Sequence, residues 1–581
     1  MFALSEGKIP IIFRYPQNPL PSAKFLYQKS KKSIMLVSFS LANFKGFKKL
    51  EPIVLKPLTV ICGANNSGKS SIIQSLLLMK QSSARNYTAS FDFDTQEPLI
   101  LDGENALAHL GDWTDVIYKH ETNQKMSLTW KLSGEMNDSI HPTKNSNLSV
   151  EIEVEIESVA SDIQDNQNTL RVSRFQFREL NSPFSYELTR AKDEKYHLKL
   201  RGISLPDFLS IWFYKKPADD IFKFKWTNTL FAQAVIDEIH FSDIQVTFYG
   251  LFPYVVNGDF VKQSDEVLRR VKTQLKPKGK PEYLSFIDKT IAVIAVLNKG
   301  KAHKAKKTVE LTRTSYQLAT QYLRQFWLTF RYLGPLREAP QRFYLINEIG
   351  KMNIGVKGEY TAIVLASEQE QSIPPYYKCI YEGKQIKEYE YRTSDQMMEA
   401  LNVWLSFMKL PQLMPTPAIK RTTNQIKLDA FGIEVCLPDV GFGVSQILPV
   451  LVECLRTKPG ETIILEQPEI HLHPSLQSKL ADFLICMAKA GKKIIVETHS
   501  EHLIKRLYLR VAQEESDETR RLLNTIFVSF DEQQQTSITQ AIMINEYGEI
   551  ENWPVHFFDE DDSRELVAAT LKKRMGFVKK K

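Results

Sequence analysis

The chain has 581 residues, 43% of them apolar, and a formal net charge of +7, which describes folded protein with more than one core and permits contact with nucleic acid without requiring it. Its five cysteines (Cys62, Cys379, Cys436, Cys454, Cys486) are scattered without a CxxC pair, a pattern of a reducing cytoplasm rather than of disulfides or a zinc site. The most conspicuous apolar run, Ile291 to Leu297, is far short of the roughly 18 residues of a membrane helix, and the N-terminus lacks the long apolar stretch of a secretion signal.

Residues 1–34, rich in Pro and Lys, read either as a poorly ordered arm or as sequence upstream of an alternative start at Met35. From there the pattern predicts strands over Met35–Ala42, Pro52–Leu55 and Leu58–Cys62, then a loop and a helix over Lys69–Gln81. The loop is Gly63-Ala64-Asn65-Asn66-Ser67-Gly68-Lys69-Ser70, with Ser71 behind it. A strand before it and a helix after it are the context that makes such a run a phosphate-binding P-loop. Its glycines let backbone N–H groups curl toward phosphate oxygens, and the helix N-terminus adds its positive end. Lys69 is expected on the β- and γ-phosphates of ATP and Ser70 on Mg2+. This assigns 35–124 to the N-terminal lobe of a nucleotide-binding head.

Residues 125–204 change character. Leu148–Ile156 and Leu170–Phe177 alternate apolar and polar with period two, and Tyr186–Leu188 and Tyr196–Leu200 repeat the style, so an inserted antiparallel sheet is expected. Residues 205–328 read as mostly helical, with aromatic stretches at Phe208–Tyr214 and Tyr322–Phe330. Within them, Val271–Lys307 carries ten lysines against Glu282 and Asp288. That segment reads either as a solvated hairpin or loop, or as a basic face for nucleic acid or an acidic partner. Few aromatics interleave it for base stacking.

The globular pattern resumes over 329–540, with 541–581 as a tail. Ile463–Leu465 and Lys493–Glu497 read as short buried parallel strands joined by a helix over Ser475–Lys489, which is βαβ logic. The first strand ends in Glu466-Gln467-Pro468-Glu469, where a carboxylate at a buried strand end suits a water-mediated Mg2+ ligand. Twenty residues before Glu466, Asp439-Val440-Gly441-Phe442-Gly443-Val444-Ser445-Gln446 feeds an apolar helix. Gly441, Gly443, Ser445 and Gln446 are candidates to bind a γ-phosphate from a second copy. His499, in Glu497-Thr498-His499-Ser500, stands just past the second strand, where it resembles the switch histidine of ABC ATPases, a resemblance that implies contact with the γ-phosphate.

The order P-loop, glycine-serine loop, strand-end carboxylate, strand-end histidine resembles the ABC ATPases: Walker A, signature, Walker B and switch histidine. The fold class expected is α/β, an ABC-type P-loop head with an inserted antiparallel β subdomain and a helical arm. The long stretch between Ser70 and Asp439 exceeds what a transporter ATPase carries and resembles the RecF/SMC/Rad50 branch, as does Leu41-Ala42-Asn43-Phe44-Lys45-Gly46-Phe47. Leu437–Pro449, Glu466–Pro474, Tyr332-Leu333-Gly334-Pro335-Leu336-Arg337 and the tail Gly548–Asp559 resemble prokaryotic ATPases of antiphage defence systems of the AbiL, Menshen and PARIS type. That resemblance implies ATP-dependent self-association, sensing of infection and control of a separately encoded nuclease or toxin. The alternative is a RecF-like DNA repair or recombination ATPase that clamps duplex DNA.

One departure matters. The position after the Walker B carboxylate, a catalytic glutamate in ordinary ABC proteins, is Gln467. Glutamine orients water but cannot accept its proton, so slow hydrolysis is expected unless Glu469 reaches the γ-phosphate instead. Weaker candidates are His471 and His473, which with His499 and His502 could be read as metal ligands but whose i, i+2 spacing in the loop after Walker B matches the D-loop position that the resemblance implies, and the acidic run Asp559–Asp562, read as solvated because a Toprim nuclease domain needs more chain than follows His499. Arg337, in an apolar segment, reads as a buried ion-pair partner or a nucleotide contact.

Overall fold

The computed structural model describes residues 35–88, 98–103, 106–136, 146–159, 169–191, 194–204, 235–249, 251–257, 269, 272–273, 308–310, 314–345, 353–383, 385–415, 423–514, 516–545, 547–552 and 554. The extension 1–34, Phe208–Tyr214, all of Val271–Lys307 except Lys272 and Thr273, and the run Asp559–Asp562 lie outside them.

The first half of the chain is dominated by strands: β1 (Met35–Phe44), β2 (Phe47–Val54), β3 (Leu58–Gly63), then helix α1 (Lys69–Thr88) and the single turn α2 (Trp113–Val116). There follow β4 (Met126–Met136), β5 (Ser146–Val159), β6 (Thr169–Glu179), β7 (Ser185–Arg190), β8 (Tyr196–Ser204), β9 (Val235–Tyr249), β10 (Phe252–Asn257) and β11 (Thr308–Glu310). All but β3 form one antiparallel sheet in the order β11-β10-β9-β8-β7-β6-β5-β4-β1-β2. Successive side chains on a strand point to opposite faces, and the buried positions of β5, such as Val150, Ile152, Val154 and Ile156, follow that alternation.

This sheet corrects the reading of 205–328 as mostly helical. Its described part supplies β9, β10 and β11 before α3 (Thr314–Thr329) begins. Ile244, Val246 and Phe248 alternate with polar residues at period two, the strand pattern, and Phe241 and Ile244 join the core. Nor does the sheet start at 125: β1 pairs with β4, so the chain's first two described strands are its edge.

The second half runs β12 (Arg331–Leu333), β13 (Tyr344–Leu345), α4 (Thr361–Glu368), β14 (Tyr376–Glu382), β15 (Gln385–Arg392), α5 (Met397–Met408), β16 (Gln412–Leu413), β17 (Thr423–Asn424), β18 (Lys427–Ala430) and β19 (Ile433–Cys436). It continues through α6 (Phe442–Arg456), β20 (Thr462–Glu466), α7 (Pro474–Lys489), β21 (Lys493–Glu497), α8 (Glu501–Gln513), α9 (Glu518–Leu522), β22 (Leu523–Asp531) and β23 (Thr536–Ile542). The second sheet has the order β12-β20-β21-β3-β22-β23, parallel except for β23 at its edge. Parallel strands covered on both faces read as continuous apolar runs, and all five residues of β20 are buried.

Two cores result. One lies between the sheets: Ile72, Ile73, Leu76 and Leu77 of α1 meet Ile61, Ile464 and Ile495 below and the antiparallel sheet above. There, Trp130, Phe175, Phe177 and Tyr186 stack edge-on against Tyr316 and Trp327 of α3. The other covers the opposite face of the parallel sheet with α5, α6, α7 and α8. Antiparallel sheet, helices, parallel sheet and helices thus lie in layers, and the carboxyl ends of β3, β20 and β21 meet at one edge.

Candidate nucleotide site

The loop between β3 and α1 is held open by its glycines. Gly63 and Gly68 have φ of +146° and +105°, and Asn66 is left-handed at +59°. Space excludes side chains as well. A Cβ on Gly63 would run into the Val528 carbonyl, and one on Gly68 would lie 2.6 Å from Ser537 Oγ and 3.1 Å from Phe47 Cε2. The β22–β23 hairpin therefore forms the wall behind the loop, with Ser537 N–H bonded to the Gly46 carbonyl at 2.8 Å. Neither Val528 nor Ser537 carries a local motif, so their part in shaping the loop is absent from the sequence reading.

Lys69 is buried, and its Nζ donates to the Ala64 carbonyl across the loop at 2.6 Å. Burial lowers its pKa, and the attraction of Glu497 opposes that. Ser67 Oγ is buried without a partner. Ala64, Asn65, Asn66 and Ser70 are exposed, and Ser71 is half-buried. The loop thus presents an open rim above a buried ammonium group.

Glu466 ends β20 with its Oε1 accepting from Tyr332 Oη at 3.0 Å. Burial raises its pKa, against the Tyr332 hydrogen bond and the charge of Arg337. Arg337 is buried, donates through Nη2 to the Glu466 carbonyl at 3.2 Å, and is pulled down to about 10 by burial. It supports the strand end from within the same chain.

Gln467 has a left-handed φ of +42°, and its N–H bonds to the Glu497 carbonyl at 2.8 Å. A non-glycine residue held there stores on the order of 1–2 kcal/mol of strain, a feature that clusters at functional sites. Glu469 is buried, and its Oε1 receives the His499 N–H at 2.8 Å. Burial raises its pKa. In this structure Glu469 props the backbone of the histidine loop. His499 keeps a third of its side chain exposed (34%), with Nε2 3.7 Å from Glu497 Oε1. Burial of the remainder and the charge of Lys69 lower its pKa.

Glu497 is the residue that motif reading missed. It lies in register with Glu466 on one side and Ile61 of the P-loop strand on the other. It is 1% exposed, and neither carboxylate oxygen receives a hydrogen bond. Burial, then repulsion from Glu466, pushes its pKa up to about 7, with Lys69 opposing.

Gly441–Gln446 open α6. Gly441 caps it with no side-chain hydrogen bond, Ser445 Oγ bonds to the Phe442 carbonyl at 2.7 Å, and Gln446 is buried with Nε2 unpartnered. The exposed Phe442 ring packs edge-on against His471 at 5.3 Å, and a Cβ on Gly443 would sit 3.6 Å from Leu472. The Gly441–Gln446 loop therefore rests on the loop after β20, two strands across the sheet from β3. His471 and His473 are exposed, and His473 caps α7 through Ser475. Among the described residues no three His, Cys, Asp or Glu side chains form a metal cage.

The AAA ATPase domain family matches residues 35–504 of this chain, four-fifths of its length. The chain belongs to that family. An AAA ATPase domain implies nucleotide binding, and on this α/β head the P-loop, the Glu466 strand end and the His499 loop are the candidates for it. A second family, described as a protein of unknown function (DUF3696), matches residues 526–565 and so takes in most of the hairpin behind the P-loop. No curated protein matches the chain. Solved structures similar to it include a Smc head bound to the C-winged helix domain of ScpA, at 11% identity over 88% of this chain and 98% of that one, TM-score 0.32. Others are the SMC head domain of Thermotoga maritima, at 11% identity over 88% and 99%, TM-score 0.30, and the Pyrococcus furiosus Smc head with an extended coiled coil bound to the C-terminal domain of ScpA, at 14% over 88% and 96%, TM-score 0.27. Among the described residues no helix is long and apolar enough to cross a membrane.

The AAA ATPase residues fit a nucleotide with its cation. The glycine cradle is one that a Cβ would fill, Ser67 Oγ and both Glu497 oxygens are buried without partners, and the carboxylates offer the oxygen ligands that Mg2+ prefers.

Proposed function

We propose that the chain binds ATP with Mg2+ at Gly63–Ser71 and Glu466, hydrolyses it slowly, and self-associates when ATP joins its P-loop to the Gly441–Gln446 loop of a second copy. The observation that carries this reading is the strand end after β20. Gln467 stands where a proton acceptor is wanted, and Glu469, the nearest substitute in sequence, is tied to the His499 N–H. The residue directly after Glu466 can thus orient water but cannot take its proton, and one oxygen of Glu469 is already engaged. His499, exposed and with a lowered pKa, is suited to contact a γ-phosphate as a neutral hydrogen-bonding ring. The exposed, uncapped start of α6 is suited to anionic oxygens arriving from another chain.

At the biological scale we read the chain as a sensor that regulates a separately encoded nuclease or toxin in antiphage defence. The sequence resemblance over Glu466–Pro474 and Leu437–Pro449 supports that reading. Phage plating on cells carrying the gene with its neighbours tests it. Protection that is lost on Lys69→Ala supports it; equal plating with and without the gene contradicts it.

Single-turnover hydrolysis tests the chemistry. Wild-type turnover is expected well below the roughly 1–1000 per second of ordinary enzymes, and Gln467→Glu is expected to raise it. Hydrolysis at many turnovers per second that Gln467→Ala abolishes would sink the slow-clamp reading.

A further inference from the structure

The carboxylate that the site does not otherwise employ is Glu497. The sheet order β20-β21-β3 sets it between the strand of Glu466 and the strand of the P-loop. Residues in register on neighbouring parallel strands share a face, about 4.8 Å apart, so Glu466 and Glu497 stand side by side at the carboxyl edge of the sheet. Lys69 attracts Glu497 from the P-loop, and His499 Nε2 lies 3.7 Å away. Yet at 1% exposure neither Glu497 oxygen has a hydrogen-bond partner of good geometry, and the Gln467 N–H beside it only weakly favours the charge.

A buried charge without donors is expensive, and an apolar side chain of similar volume would be cheaper. Glu466 beside Glu497, although it accepts from Tyr332, adds repulsion. Their pairing becomes favourable when a cation enters between them and the phosphates. Mg2+ is commonly held in this way, by one or two carboxylates together with substrate phosphates and water, rather than by a protein cage.

We propose that Glu497 is the second carboxylate of the cation shell, holding with Glu466 the hydrated divalent ion that accompanies ATP. The proposal rests on the ATP-site reading above. It differs from a role in which Glu497 merely fixes Lys69, because that role would serve ATP with or without metal.

The test measures the affinity of the full-length chain for a fluorescent ATP analogue twice, with Mn2+ and with EDTA. The ratio isolates the contribution of the cation. Glu497→Gln is expected to cut that ratio by about tenfold or more, the scale of a lost ligand-shell partner, while the EDTA affinity stays within about twofold by the same reasoning. An unchanged ratio overturns the proposal. So does a loss shared equally by both conditions, which would assign Glu497 to Lys69. If the Gln chain does not fold, Glu497→Asp, which withdraws the charge by one methylene, is measured in the same way: a reduced ratio supports the proposal and an unchanged one overturns it. A wild-type chain that binds no analogue in either condition contradicts the ATP-site reading itself.

Discussion

Asp482, on α7, has no exposed surface, and three side chains close on it. Arg510 Nε donates to Oδ1 at 2.7 Å, Arg506 Nη2 to Oδ2 at 2.9 Å, and Tyr381 Oη to Oδ2 at 2.5 Å. The cluster ties hairpin β14–β15 and helix α8 to the helix that joins the Glu466 strand to the His499 strand. Removing the carboxylate takes the Asp482 charge away from Arg510, itself 2% exposed, and from Arg506. Breaking such a cluster costs about 3–5 kcal/mol, so Asp482→Asn is expected to lower the urea midpoint sharply. A midpoint within experimental error of wild type would show that the cluster contributes little. Residues of this kind set the limit of sequence reading. Lys69, Glu466 and His499 could be singled out as candidates because their motifs are local and their order is informative. Glu497 could not, since a glutamate closing Ile494-Ile495-Val496 looks like a strand cap until register puts it beside Glu466. Tyr332 and Ser537 were hidden for the same reason, as each acts on a residue more than a hundred positions away.

At the scale of elements, α6 is fastened at one end and open at the other. Lys492, with no exposed surface, donates from Nζ to the Cys454 and Leu455 carbonyls at 2.9 and 3.1 Å. These belong to the last turn, where helices leave carbonyls unpaired and favour positive charge. The other end, at Gly441, has no side-chain cap. Burial pulls the Lys492 pKa down to about 7 from an ordinary value of 10.5. Between those two values the unfolded chain holds the proton that the folded chain has lost, so this residue's contribution to stability rises with pH across that window and is flat below it. The stability of wild type minus that of Lys492→Met is therefore expected to climb from pH 7 to pH 9, at up to roughly 1.4 kcal/mol per pH unit. A difference that falls over that range contradicts the assignment. The βαβ unit around α7 was legible because apolar strand, helix and apolar strand follow in short succession. The outer strands of the antiparallel sheet were not, because β9 follows an aromatic-rich stretch that invited a helical reading, and its alternation shows only from Ile244 onward.

At the scale of the whole molecule, the P-loop is gripped from behind by the last described strands of the chain. Gly63 abuts Val528 and Gly68 abuts Ser537, while Tyr118 Oη reaches the Gln535 carbonyl at 2.9 Å. Chain segments more than 450 residues apart thus share one wall of the site, which couples the hairpin reached by the second family match to the loop proposed to hold phosphate. The face that carries Gly441 and Phe442 stays open. In the reading proposed above, a site with its P-loop on one strand and the Gly441–Gln446 loop two strands away would be completed by another copy of the chain, and Gln467 in place of a proton acceptor would let that closed state persist. Sedimentation velocity of the full chain, with and without saturating ATP and Mg2+, tests this most directly. The account predicts that nucleotide converts the slower species into one of about twice the mass, and that Lys69→Ala abolishes the shift. A sedimentation coefficient that saturating ATP leaves unchanged, in a chain shown to bind it, would contradict the composite site.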